Sequence, residues 1–141
     1  MQNRAFEAWT PYVLSLLRIM AALLLLQHGT QKMLGFPPSG RPGPEFLSLL
    51  WFAGVIELVG GLLLLLGLFS RATAFILSGF TAAAYFMAHA PQDFFPILNR
   101  GELAALYCWV FFYLVFAGPG PLSLDRLFWS RDTSPARVSA E

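Results

Sequence analysis

Two histidines, a lysine and a glutamate stand at spacings that a helical bundle would bring to one level: His28, Lys32, His89 and Glu102. The stretch "LLLLQHGTQKMLGF" at 23–36 passes from hydrocarbon into Gln27, His28, Gln31 and Lys32, and Lys32 falls one helical turn beyond His28 on the same face. His28 and His89 each lie about seventeen residues into an apolar segment. Parallel helices rising 1.5 Å per residue therefore carry both imidazoles to nearly one depth. Glu102 opens a further apolar segment at that level, Tyr107 follows about five residues into it, and Asp93 and Asn99 occupy the loop before it. Imidazole and carboxylate exchange protons, while ammonium and phenol donate hydrogen bonds. Beside hydrocarbon, such a set suits a quinone or another small polar ligand. Taken singly, each member has a plainer use. Lys32 can snorkel to headgroups, and Asn99 with Glu102 fits a capping box.

A second pair is charged at greater depth. Arg18 lies seven residues into the first apolar segment, and Glu57 stands near the middle of the second. Ionisable groups at bilayer depth cost at least about 2.5 kcal/mol each on insertion scales, so they face partners or cavities. Antiparallel helices would bring these two within about 6 Å in depth, which predicts an intramembrane Arg18–Glu57 ion pair acting as a register clasp. No metal site is read from the chain.

The elements that must position these groups are membrane helices. Hydrophobic residues make up 57% of the 141 and charged residues only 12%, against about 25% in an average soluble domain. Mean hydropathy is +0.61. A net charge of +1 gives no attraction to nucleic acid. The single cysteine, Cys108, allows neither an internal disulfide nor CxxC chemistry. Arg18 interrupts the first apolar stretch, and "QHGTQK" follows where a cleavage site would be, so an uncleaved helix is expected rather than a signal peptide.

Four segments come near the roughly 20 residues that a span needs: about 11–34, 46–68, 72–89 and 102–118. Thr10-Pro11 reads as an N-cap with proline at the first helical position, and Ser70 as the cap of the third span. A short interfacial helix is expected at about 123–129, capped by Ser123. The expected fold is an all-α integral membrane four-helix bundle forming one domain over 1–128, with 130–141 a polar, disordered tail. Arg4, Arg71, Arg126, Arg131 and Arg137 outnumber Lys32, Arg41 and Arg100 on the opposite side, which predicts cytoplasmic N- and C-termini. Small residues crowd the third span (Ala74, Ser78, Gly79, Ala82, Ala83 and Ala84) and predict close packing there.

Arg18, "HGTQKMLGF", "GVIELVGGLLLLLGLFSR", "MAHAPQDFFPILNRGELAALY" and "GPGPLSLD", in that order over roughly 12–128, resemble the DoxX family. Matching positions are Arg18, His28, Gly29, Lys32, Glu57, Gly60, Gly61, Arg71, His89, Asn99, Glu102, Gly118, Gly120 and Asp125. The resemblance implies a small multi-pass protein of the inner, cytoplasmic membrane. It also implies association with oxidoreductase systems, since the founding member is the small membrane subunit of an archaeal thiosulfate:quinone oxidoreductase. It carries no catalytic residue onto this chain.

Two functions follow as expectations. One is a membrane subunit or accessory protein of a quinone-linked oxidoreductase, acting with a partner membrane or redox protein. Quinone would then be held by His28, Lys32, His89, Glu102 and Tyr107. The other is a non-enzymatic assembly factor whose small-residue faces bind another membrane protein or a second copy in a homo-oligomer. A b-type haem ligated by His28 and His89 is the weaker alternative for a cofactor, because interface histidines have many other uses.

Overall fold

The computed structural model describes residues 4–129, and all their regular structure is helical. Helix α1 spans Arg4–Leu34, α2 Leu49–Leu66 and α3 Ser70–Ala84, which runs on into a π-helical turn at Tyr85–His89. A single turn, α4, covers Pro96–Asn99, followed by α5 at Glu102–Ala117 and α6 at Leu124–Trp129. Three helices are long and apolar enough to cross a membrane: Phe6–Leu34, Leu49–Leu66 and Ser70–His89. The fourth apolar helix, α5, has 16 residues. The expected tail at 130–141 lies outside the described residues.

Helix boundaries differ from expectation where a cap was read from one residue. Thr10-Pro11 does not start α1; the helix begins at Arg4 with Pro11 inside it. The Thr10 hydroxyl donates back to the Phe6 carbonyl at 2.9 Å instead of capping. Helix α2 starts at the N-cap Ser48, whose hydroxyl accepts from the Trp51 amide at 3.2 Å. It ends at Gly67, held at φ 67°, with the Leu68 amide bonded to the Leu63 carbonyl at 2.9 Å. That is the Schellman closure, and its left-handed residue favours glycine.

Ser70 is not the cap of α3. Asp125, far along the chain, accepts from the Phe69 and Ser70 amides at 2.7 Å each, so a carboxylate from α6 satisfies the helix start. Asp125→Ala should remove about 1–2 kcal/mol, the usual worth of an N-cap. A fall in the thermal unfolding midpoint in detergent would show it, and an unchanged midpoint would mean the cap is redundant. The expected Asn99–Glu102 capping box is absent too, because Asn99 Oδ1 accepts from the Gly101 amide at 2.7 Å instead.

Helices α1 and α2 pack antiparallel with backbones nearly touching. A Cβ on Gly29 would lie 2.5 Å from the Leu58 nitrogen, and one on Gly61 would lie 3.1 Å from Leu26 Cδ1. Helix α3 packs on α5, where the Ser78 hydroxyl donates to the Cys108 carbonyl at 3.0 Å. The two pairs meet through a small core that includes Ala22, Leu25, Leu64, Leu77 and Phe111. Large apolar side chains such as Phe75, Phe86, Trp109 and Phe116 point outward. For a helical bundle of this composition, lipid is their natural solvent.

Candidate ligand site

Between the two helix pairs lies a cavity of about 590 Å³. Its polar lining comes from His28 and Lys32 of α1, Glu57 of α2, Thr81 of α3, His89 of the π-helical turn, Arg100 of the loop and Tyr107 of α5. Leu50, Phe52, Met87 and Leu103 supply apolar walls. Few polar groups against a mostly apolar lining is the usual make-up of a small-molecule site. Four of the residues expected from sequence, His28, Lys32, His89 and Tyr107, are therefore brought together. Glu102 is not among them: it is exposed at the start of α5 and lines no part of the cavity.

The expected Arg18–Glu57 pair does not form. Glu57 is paired with Lys32, whose Nζ donates to Oε1 at 2.6 Å and to Oε2 at 2.5 Å. Both side chains are largely withdrawn from solvent, at 23% and 9% exposure, so each charge needs the other. The cause is register. Gly29 seated on Leu58 and Gly54 seated on Lys32 and Met33 set the C-terminal half of α1 opposite Glu57, and Arg18 falls opposite the far end of α2. There Arg18, fully buried, donates to the Leu64, Leu65, Pro119 and Leu122 carbonyls. Two groups within reach in depth were thus separated by the glycine contacts.

Tyr107 is 6% exposed, and its ring stacks on Phe111 with centroids 5.4 Å apart and planes 6° apart. Its hydroxyl is buried without a hydrogen-bond partner. Burial of a hydroxyl without a bond costs about 1–3 kcal/mol.

Between the π-helical turn and α5, Asn99 is fully buried and organises the loop. Its Nδ2 donates to the Asp93 carbonyl at 2.9 Å and reaches the Tyr85 hydroxyl at 3.4 Å. Its own carbonyl lies 3.0 Å from His89 Nδ1. The π-helical turn, closed by Ala90 N–H bonded to the Tyr85 carbonyl at 2.9 Å, sets His89 and Met87 in the cavity wall. Such turns occur often at functional sites. Sequence reasoning missed Glu57 and Arg100 as members of this cluster. The direct 35–48 connection between α1 and α2 was the signal for Glu57, because it places Lys32 and the first half of α2 at one end of the hairpin.

A hydrophobic helical bundle with three membrane-length helices and a mostly apolar cavity carrying a few polar groups defines the class: an integral membrane protein. The DoxX family model matches residues 13–90, more than half of the chain, and the chain belongs to the DoxX family. It is 48% identical over 130 residues to an uncharacterized protein of Haemophilus influenzae, covering 89% of this chain and 97% of that protein. It is 28% identical over 134 residues to the inner membrane protein YphA of Escherichia coli, covering 86% of this chain and 94% of YphA. No solved structure matches it.

Proposed function

We propose that this DoxX-family protein crosses the inner membrane four times, with both termini cytoplasmic, and serves a quinone-linked oxidoreductase system as a small membrane subunit or accessory protein. Its cavity holds the quinone headgroup. The observation that carries the reading is the buried, unpartnered Tyr107 hydroxyl in a wall shared with the Lys32–Glu57 pair. A quinone offers two carbonyl oxygens on a flat apolar ring, so one oxygen satisfies the phenol while the ring lies on Phe52, Met87 and Leu103. His28 and His89 are placed to exchange protons with such a ligand. Glu102, exposed outside the cavity, suits a contact with the partner protein better than one with quinone.

Quinone should co-purify with the protein in mild detergent near one per chain, as read by mass spectrometry of the extracted lipid. Tyr107→Phe should lower that occupancy about tenfold. The same change should leave the ligand-free protein as stable or up to about 1–3 kcal/mol more stable, because it deletes an orphaned group. A quinone-free preparation whose unfolding midpoint is unmoved by added quinone would end the proposal.

The second reading, an assembly factor, is favoured by one observation. A Cβ at Gly79 meets nothing within 4 Å, so that face of α3 has room for another helix. It expects Gly79→Leu to abolish co-purification of a partner while quinone occupancy is kept. Retention of every partner in that variant would remove this reading.

A further inference from the structure

Resting on the quinone reading of the same cavity, we infer that His89 distinguishes the reduced from the oxidised ligand, its Nε2 accepting a hydrogen bond that only a hydroquinone hydroxyl can give. The starting point is the 3.0 Å contact between His89 Nδ1 and the Asn99 carbonyl. A carbonyl oxygen only accepts, so Nδ1 carries the proton, and in the neutral ring Nε2 is then an acceptor. The Asn99 carbonyl does not swing away readily, because the Asn99 side chain is itself tied to Asp93, Gly101 and Tyr85. The Tyr85 ring lies near-parallel to the imidazole, with centroids 6.4 Å apart, and restrains its plane. Among the described residues Nε2 has no protein partner, and the ring lines the cavity.

The other polar groups in the cavity make this distinction less well: the Thr81 hydroxyl, which donates to the Leu77 carbonyl at 2.8 Å, serves as donor or acceptor alike. The Tyr107 hydroxyl both donates and accepts, so it serves a carbonyl or a hydroxyl equally. Lys32 and Arg100 only donate. Glu57 accepts from Lys32 Nζ at both of its oxygens and offers a ligand only its remaining lone pairs. His28 is exposed on the same cavity, and among the described residues no bond fixes its tautomer. His89 is the acceptor that the fold has both oriented and left open. A quinone carbonyl set against it would face an acceptor with an acceptor, whereas a hydroquinone completes the bond.

The test compares a short-chain benzoquinone with its dithionite-reduced hydroquinone, each bound anaerobically to the full chain in lipid nanodiscs and measured by equilibrium dialysis. The hydroquinone should bind about tenfold tighter, the fold-change of one hydrogen bond. His89→Asn keeps an amide donor for the Asn99 carbonyl but removes the distal nitrogen. It should erase the preference, bringing the two forms to equal affinity, with the unfolding midpoint unchanged. Equal binding of the two forms by the unsubstituted protein overturns the inference and leaves the quinone site standing. Persistence of the preference in His89→Asn overturns it likewise and moves the acceptor to Glu57. Binding of neither form overturns the quinone reading itself, and this inference with it.

Discussion

Arg18→Ala is expected to abolish recovery of folded protein from the membrane. The Arg18 side chain is fully buried and donates to four backbone carbonyls on two separate segments: Leu64 and Leu65 at the end of α2, and Pro119 and Leu122 between α5 and α6. The last turn of a helix leaves its carbonyls without intrahelical partners. Here one guanidinium bonds two of them, Leu64 and Leu65, and it also ties down the connection that carries Asp125 to the start of α3. Hydrogen bonds to charged groups are worth about 1.5–3 kcal/mol each, so even partial replacement by water leaves a loss of at least about 4 kcal/mol. Total stabilities of about 5–15 kcal/mol cannot absorb that easily. Arg18→Lys should recover little, because an ammonium on a flexible stem cannot reproduce a planar fork that spans two segments. Size-exclusion profiles and thermal unfolding in mild detergent read the outcome. If Arg18→Ala stays within about 1 kcal/mol of the parent protein, water has replaced the guanidinium and the residue is no keystone.

That role explains what the sequence could and could not disclose. A deeply placed arginine announces a partner, but nothing in residue types says whether the partner is a carboxylate or a set of carbonyls. Counting depth from the expected span ends at 11 and 68 put Arg18 close to Glu57. The real ends are set by the Ser48 cap and the Gly67 closure, and by α1 continuing back to Arg4. The helices themselves were legible because long apolar runs separated by proline and glycine clusters admit few alternatives. Their exact pairing was not, because Gly29, Gly54 and Gly61 carry no hydrophobic signal and act only through the close approach they allow.

The candidate site was legible to a similar degree. Shared depth was enough to place His28, Lys32, His89 and Tyr107 around one cavity. Depth says nothing about rotation around a helix axis, however, and that is how Glu102 came to be expected in a cluster it does not line. The same limitation hid Glu57, which was assigned to Arg18 although α2 turns it toward Lys32. The spacing of Asn99 and Glu102 suggests a helix cap, yet the Asn99 carbonyl fixes the His89 tautomer. That contact arises from a loop whose backbone path no periodicity encodes.

The register that created the Lys32–Glu57 pair yields the other large effect, and it concerns a residue with no side chain. A Cβ at Gly29 would sit 2.5 Å from the Leu58 nitrogen, 2.8 Å from the Leu58 Cα and 2.9 Å from the Glu57 carbonyl carbon. All three are backbone atoms, so no side chain can rotate away and the helices themselves must separate. Intrinsic helix propensity would favour Gly29→Ala by about 1 kcal/mol, whereas overpacking of this kind costs about 1–3 kcal/mol or more. The clash should win, leaving Gly29→Ala less stable by about 2 kcal/mol and Gly29→Leu unfolded. Gly79→Ala is the matched control. With nothing within 4 Å of the new carbon, it should be neutral or slightly stabilising. The consequence reaches the cavity, because Glu57 and Lys32 hold each other across the same helix contact. Parting the helices at Gly29 lengthens that pair and exposes two charges to an apolar wall, so quinone occupancy should fall in Gly29→Ala along with the unfolding midpoint. A variant that loses stability but keeps full occupancy would separate the two, and would show that the helix seam and the ligand wall are built independently.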